Sequence, residues 1–234
     1  MNMKTLGVLV GPFALVGATV HYANDHPVLF NFISNYAESG YTTGNNIIDN
    51  GDSVGVWVGT FSGAPYAASD VVYWTNGIYF SLICSGALHS CVFDGSNSRR
   101  IMTIGGTGGG TMTLAGVHFK DGNNISFGGA LYILSSALVS LQGCRILSNQ
   151  ANYGGGIYAG SSGTTVNLYS TSFDGNTATG NGDDIYGNSA SLTVHSTCPP
   201  DWSGTPAAGS NLDTYSDPDN PGTLSGTTKS FDIG

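Results

Sequence analysis

A chain of 234 residues with 36 glycines, 9% charged residues and a formal net charge of −9 cannot neutralise a phosphate backbone, which excludes nucleic acid as a partner. Its 12 Tyr and 10 Phe supply core material that a disordered chain lacks, while abundant Gly and low charge point to turns and β structure. The acidic, Lys-poor surface also argues against docking on anionic lipid.

In chain order, Lys4 precedes an apolar run from Leu6 to Val20, and Val16-Gly17-Ala18 fits a small-residue cleavage site. Residues 1–18 therefore read as a secretory signal peptide, which predicts an extracellular or cell-surface protein. The run is too short and too Gly-rich for a membrane span, and no other segment approaches the required length, so no span is expected in the mature chain. Residues 24–80 hold strand-like pieces, Val54-Gly55-Val56-Trp57-Val58 and Asp70-Val71-Val72-Tyr73-Trp74, that fit no repeat. They read as an N-terminal cap with one irregular coil, covering the open end of the repeats at 81–198.

In that region, Met112, Val139, Val166 and Leu192 recur at 27, 27 and 26, and Leu114, Leu141, Leu168 and Val194 do the same. Phe93, Phe119, Ile146 and Phe173 recur at 26, 27 and 27, and Leu131, Ile157 and Ile185 at 26 and 28. Val166 and Leu168 alternate with polar neighbours, the period of a strand with one buried face. A fixed period with matched apolar columns signals a stacked repeat. Helical repeats are excluded because β-branched residues alternate with Gly, Ser and Thr. About 27 residues suit one coil of three strands of ~5 residues. The prediction is an all-β parallel β-helix of about four to five coils, with rungs ~4.8 Å apart. Asn149 and Asn176, 27 apart, are placed to share amide hydrogen bonds between coils, and Gly128-Gly129 and Gly154-Gly155-Gly156 form the corner before the third strand.

These residues resemble the polymorphic outer-membrane protein repeat, whose paired motifs are GGA followed by Ile, Leu or Val, and FxxN. Gly128-Gly129-Ala130-Leu131 and Phe173-Asp174-Gly175-Asn176 match fully. Gly154-Gly155-Gly156-Ile157 and Ile146-Leu147-Ser148-Asn149 match with one change each, Phe119-Lys120-Asp121-Gly122 loses the Asn, and Asp183-Asp184-Ile185 loses the glycines. The resemblance covers residues 87 to 198 and implies a right-handed β-helix, display at a cell surface, and adhesion rather than catalysis.

Of four cysteines, Cys84 and Cys91 flank the turn SGALHS and are placed to pair, while Cys144 falls in an inward column as a small core residue. None has zinc-ligand spacing, and neither do His21, His26, His89, His118 and His195, so no metal or other cofactor is expected. By strand alternation His118 and His195 should be exposed. Residues 199–234 carry Pro, Gly, Ser, Thr and Asp and read as a flexible tail.

No catalytic residue emerges. Asp183-Asp184, the one adjacent carboxylate pair, reads as a solvated turn, because neighbours on a strand point oppositely and a glycosidase needs two carboxyls flanking one sugar. Tyr132, Tyr158 and Tyr186 each follow an inward residue and should form an outward stripe one rung apart, either a self-stacked ladder or a binding face for a glycan or a cell-surface protein. Asn124-Ile125-Ser126 is a glycosylation sequon on a turn, with Asn124 as acceptor. The functional expectation is a structural or adhesive module. Its rivals are a carbohydrate-active β-helix enzyme and an ice-binding solenoid, the latter hinted at by Thr111, Thr113, Thr164, Thr165 and Thr193 and broken at Ser140.

Overall fold

A computed structural model describes residues 20–23, 51–56, 58–62, 70–74, 77–195, 214–216 and 223–226. The run at 1–18 read as a leader, Cys198 and most of the segment after it lie outside the described residues. The fold is the expected parallel β-helix, with three walls and a short fourth ladder.

Wall one is 8-stranded: Val20–Ala23, Ser53–Val56, Ser81–Cys84, Thr111–Ala115, Leu138–Gln142, Thr165–Tyr169, Ser191–His195 and Thr223–Gly226. Wall two is 5-stranded: Gly59–Ser62, Cys91–Asp94, Val117–Lys120, Arg145–Leu147 and Ser172–Asp174. Wall three is 6-stranded: Asp70–Trp74, Arg100–Ile104, Leu131–Ile133, Ile157–Gly160, Ile185–Asn188 and Thr214–Ser216. Gln150–Tyr153 and Thr177–Asn181 form the short ladder between walls two and three. Among the described residues every pairing is parallel, as a coil that returns to the same wall after one circuit requires.

The apolar columns stack as expected. Leu114, Leu141 and Leu168 are register partners, as are Met112, Val139 and Val166, and none of these six is more than 2% exposed. Phe61, Phe93, Phe119, Ile146 and Phe173 form one column inside wall two, its first three rings in contact at centroid distances of 5.1 and 5.7 Å.

The flanks gain detail. The segment read as a cap with one irregular coil contains strands that stack in register: Val54 on Leu82, Phe61 on Phe93 and Val72 on Met102. Its loops differ in length from those of later coils, so its spacing departs from 27 and the columns are hidden in the sequence. In the segment read as a flexible tail, Thr214–Ser216 pairs with wall three and Thr223–Gly226 with wall one, with Tyr215 the register partner of Tyr186 and Leu224 of Leu192.

The paired motifs acquire physical reasons. Gly128, Gly154 and Gly182 stack at the corner before wall three with φ of 57°, 64° and 71°, and a Cβ on any of them would strike the carbonyl oxygen three residues on. The third copy therefore keeps its first glycine, as Gly182-Asp183-Asp184. The Asn of FxxN is fully buried at Asn149. Its Oδ1 accepts from Gly122 N–H at 2.8 Å, and its Nδ2 donates to Asn176 Oδ1 at 2.9 Å. Asn176 Nδ2 in turn donates to Asp184 Oδ1 at 2.8 Å. A coil lacking its own Asn, at Gly122, is served by the Asn of the next coil.

Candidate functional site

Wall three carries the tyrosine stripe. Tyr132, Tyr158 and Tyr186 are register partners with centroids 5.4 and 5.3 Å apart. The stripe is covered, however. Phe127 and Tyr153, each immediately before a corner glycine and bridged to each other in parallel, fold over it: Phe127 lies 4.6 Å from Tyr158 and Tyr153 lies 5.1 Å from Tyr186. Tyr158 and Tyr186 are each only 7% exposed. Beside Tyr132 the Arg100 guanidinium sits 4.4 Å from the ring centroid, its Nε donating to the carbonyls of Phe127 and Gly128. Its Nη1 meets Asp70 Oδ2 at 3.5 Å, and Asp70 is 1% exposed. The geometry matches the self-stacked ladder and leaves little ring surface for a ligand. Tyr158→Ala should lower the thermal midpoint by the equivalent of about 2–3 kcal/mol, and Tyr158→Phe by less than about 1 kcal/mol, because packing outweighs the hydroxyl. Equal melting of both variants would contradict the ladder.

Wall one presents another flat outer face, half-buried along its polar column and buried at Ser140. Ser53, Ser81, Thr113, Ser140, Asn167 and Thr193 are successive register partners, a column of small polar groups over six rungs. Thr111, Leu138, Thr165 and Ser191 form a second column beside it. From Ser53–Val56 to Ser191–His195 these strands carry no Asp, Glu, Lys or Arg, although the chain has 15 acidic residues. Near its corner with wall two, Tyr169 and His195 stack at 4.0 Å and 9°. Four of the five threonines singled out in the sequence lie in these columns, whereas Thr164 is fully buried and its Oγ1 donates to Gly160 O at 2.8 Å.

The acidic doublet is not a solvated turn. Asp184 is 6% exposed and ends the amide ladder, in the column of Ala130 and Gly156, while Asp183 Oδ1 accepts from Ala178 N–H at 2.6 Å. The alignment with that inward column is the sequence signal for its burial. Asp94 and Asp121 both grip Lys120, at 3.0 and 2.9 Å. Cys84 and Cys91 form a disulfide, and Cys144 is buried with its thiol pushed up to about 12 by desolvation. Asn124 lies in an exposed loop, its Oδ1 accepting from Ser126 and Phe127 N–H, with Ile125 at the tip 92% exposed.

His118 and His195 are less open than alternation suggests: the Nε2 of each is buried without a hydrogen-bond partner. Desolvation, with Arg145 and His89 nearby, lowers the His118 pKa to about 4. Among the described residues no three of His, Cys, Asp or Glu converge as metal ligands, and no helix is long and apolar enough to cross a membrane. Comparison with protein-family models, with curated proteins and with solved structures finds no match for the chain.

Proposed function

We propose that the chain is a non-enzymatic structural and adhesive module, secreted or displayed at a cell surface, which holds a neutral hydroxylated partner, a polysaccharide, against the flat outer face of wall one. The observation that carries this reading is the uncharged hydroxyl and amide column over six rungs. Rungs ~4.8 Å apart present a regular array of short hydrogen-bonding groups, and nothing charged must be desolvated when a flat chain lies across them. The stacked Tyr169–His195 pair offers ring surface to a sugar face at one edge. The Cys84–Cys91 disulfide and the leader-like run after Lys4 support an oxidising, extracellular setting. The resemblance of the GGA and FxxN motifs supports surface adhesion. The non-catalytic reading rests on the carboxylates: Asp70 and Asp184 are buried and engaged with Arg100 and Asn176, and Asp94 and Asp121 are paired with Lys120 nearer the surface.

The test is a glycan-array screen followed by titration of the best neutral ligand against Thr113→Glu and Asn167→Glu. Each should weaken binding about tenfold or more with little change in melting, because a carboxylate then sits under the ligand. Unchanged affinity in both folded variants would move the site off wall one, and release of new reducing ends from pectin, alginate or laminarin would overturn the non-enzymatic reading. The Thr111, Thr113, Thr165 and Thr193 array on this face also favours a second reading, ice binding. Thermal hysteresis that disappears in Thr113→Glu would establish it instead.

A further inference from the structure

Walls one and two meet at a corner formed by Gly116, Gly143 and Ser170, all with positive φ. Outside this corner the side chains of three basic residues come together. His118 and Arg145 are register partners on adjacent strands of wall two, about one rung of 4.8 Å apart. His89 stands in the loop closed by the Cys84–Cys91 disulfide. Its backbone N–H donates to Gly116 O at 2.8 Å, and its ring Nε2 donates to Gly143 O at 2.8 Å, so the ring is held across two coils beside the other two.

The pairing of charges bears on this corner, although Arg99 is also without an ion pair among the described residues, its Nε and Nη1 buried. Lys120 is engaged by Asp94 and Asp121, and Arg100 by Asp70. The Arg145 side chain makes no ion pair or hydrogen bond among the described residues, in a chain whose net charge is −9. An acidic chain that leaves a guanidinium unpaired beside two imidazoles gathers positive charge at one corner. Such a group matches an oxyanion, for which the guanidinium supplies a planar two-pronged contact and each ring, on taking up a second proton, adds positive charge.

We propose that the corner carrying His89, His118 and Arg145 binds an oxyanion, a carboxylate or sulfate group. The site adjoins Gln142 and Tyr169 at the edge of wall one, so an acidic polysaccharide lying on that face would bring its charged substituent here. That choice of carrier rests on the proposed function, but the oxyanion site itself does not.

Proton uptake should accompany binding. His118 faces Arg145 from the next coil, His89 from the disulfide loop, Lys120 from its own strand and Asp121 from the following turn. Its buried Nε2 has no acceptor, so the neutral ring keeps its proton on Nδ1, and adding a second proton is disfavoured. The pKa of His89 is also lowered, by burial first, against the bond to Gly143, with Arg145 adding to the effect. An anion between Arg145 and the rings cancels the repulsion and favours the charged rings. Both pKa values rise on binding, so affinity grows as the pH falls from 6.5 towards 4.

The experiment follows the histidine ring signals by nuclear magnetic resonance through a pH titration of the full chain, in sodium sulfate and in sodium chloride of matched ionic strength. Sulfate should move the His118 midpoint upward from about 4 by one unit or more, and chloride should not. Arg145→Gln, whose melting should match the parent because the side chain faces outward, should weaken sulfate binding about tenfold, the equivalent of that one unit. Identical midpoints in the two salts, or undiminished sulfate binding in Arg145→Gln, would overturn the site. A neutral glucan that still binds Arg145→Gln while sulfate moves nothing would end this inference and leave the wall-one reading intact. A sulfated oligosaccharide that binds more tightly than both sulfate and the neutral glucan would identify the glycan as the carrier.

Discussion

Leu141→Asp is expected to cost about 4–5 kcal/mol or more, enough to unfold the central coils at ambient temperature. Leu141 is fully buried and lies between Leu114 and Leu168 in the middle of the wall-one column. A carboxylate there has no cation within the column, and the neighbouring rungs lie too close to admit water. The next residue supplies the control. Gln142 faces outward beside Ala115 and Tyr169, so Gln142→Asp should stay within about 1 kcal/mol. Thermal melts of the two variants side by side make the comparison, and similar midpoints would mean that the inward and outward sets of wall one are exchanged.

The second large effect lies at Arg100. Arg100→Met should cost about 3–5 kcal/mol, more than the removal of a surface cation. The guanidinium is buried against Asp70 and over the Tyr132 ring, and it also ties the Phe127 and Gly128 carbonyls to wall three. Losing it removes the guanidinium from beside the 1%-exposed Asp70 carboxylate. Asp70 also accepts a hydrogen bond from Thr103 Oγ1, which a neutral amide can keep. Adding Asp70→Asn to Arg100→Met should therefore recover a large part of the loss, measured by denaturant unfolding of the single and double variants. A double variant as unstable as Arg100→Met alone would assign the cost to the aromatic contact and the carbonyls instead of to charge.

How much of this is legible in the sequence depends on whether a feature is periodic. The columns through Leu141, Ile146 and Ile157 are readable because each side chain meets the same kind of neighbour one coil away. The Cys84–Cys91 pair is readable because a separation of 7 residues brings the two within reach around a turn. The coil holding Val54, Phe61 and Val72 escapes a search for a period because loops of unequal length break the spacing while the strands still align. Strand alternation places the tyrosines on the outside of wall three correctly, but it says nothing about what covers an outer face. Phe127 and Tyr153 stand immediately before the corner glycines, where the direction of a side chain depends on corner geometry and no fixed period applies. The polar column on wall one is visible in principle as Ser81, Thr113, Ser140, Asn167 and Thr193 in matched positions. A search for an ice-binding array overlooks it, because that search admits threonine alone, whereas a hydrogen-bonding face needs only short, uncharged groups.

The stacked register has a consequence for how such a chain can change length. Leu138 pairs with both Thr111 and Thr165, so the segment from Leu138 to Thr164 is one whole turn of the spiral. Excising it would lay Val166 on Met112, Leu168 on Leu114 and Phe173 on Phe119, and would bring Asn176 to the Gly122 amide that Asn149 now serves. Each of these inward neighbours would be replaced by one of the same kind. Removing a single residue from the same strand would instead turn its inward side chains outward. Insertions and deletions of complete turns are therefore the gentle mutations of this architecture, and the area of the uncharged face can be lengthened or shortened in steps without redesigning the core.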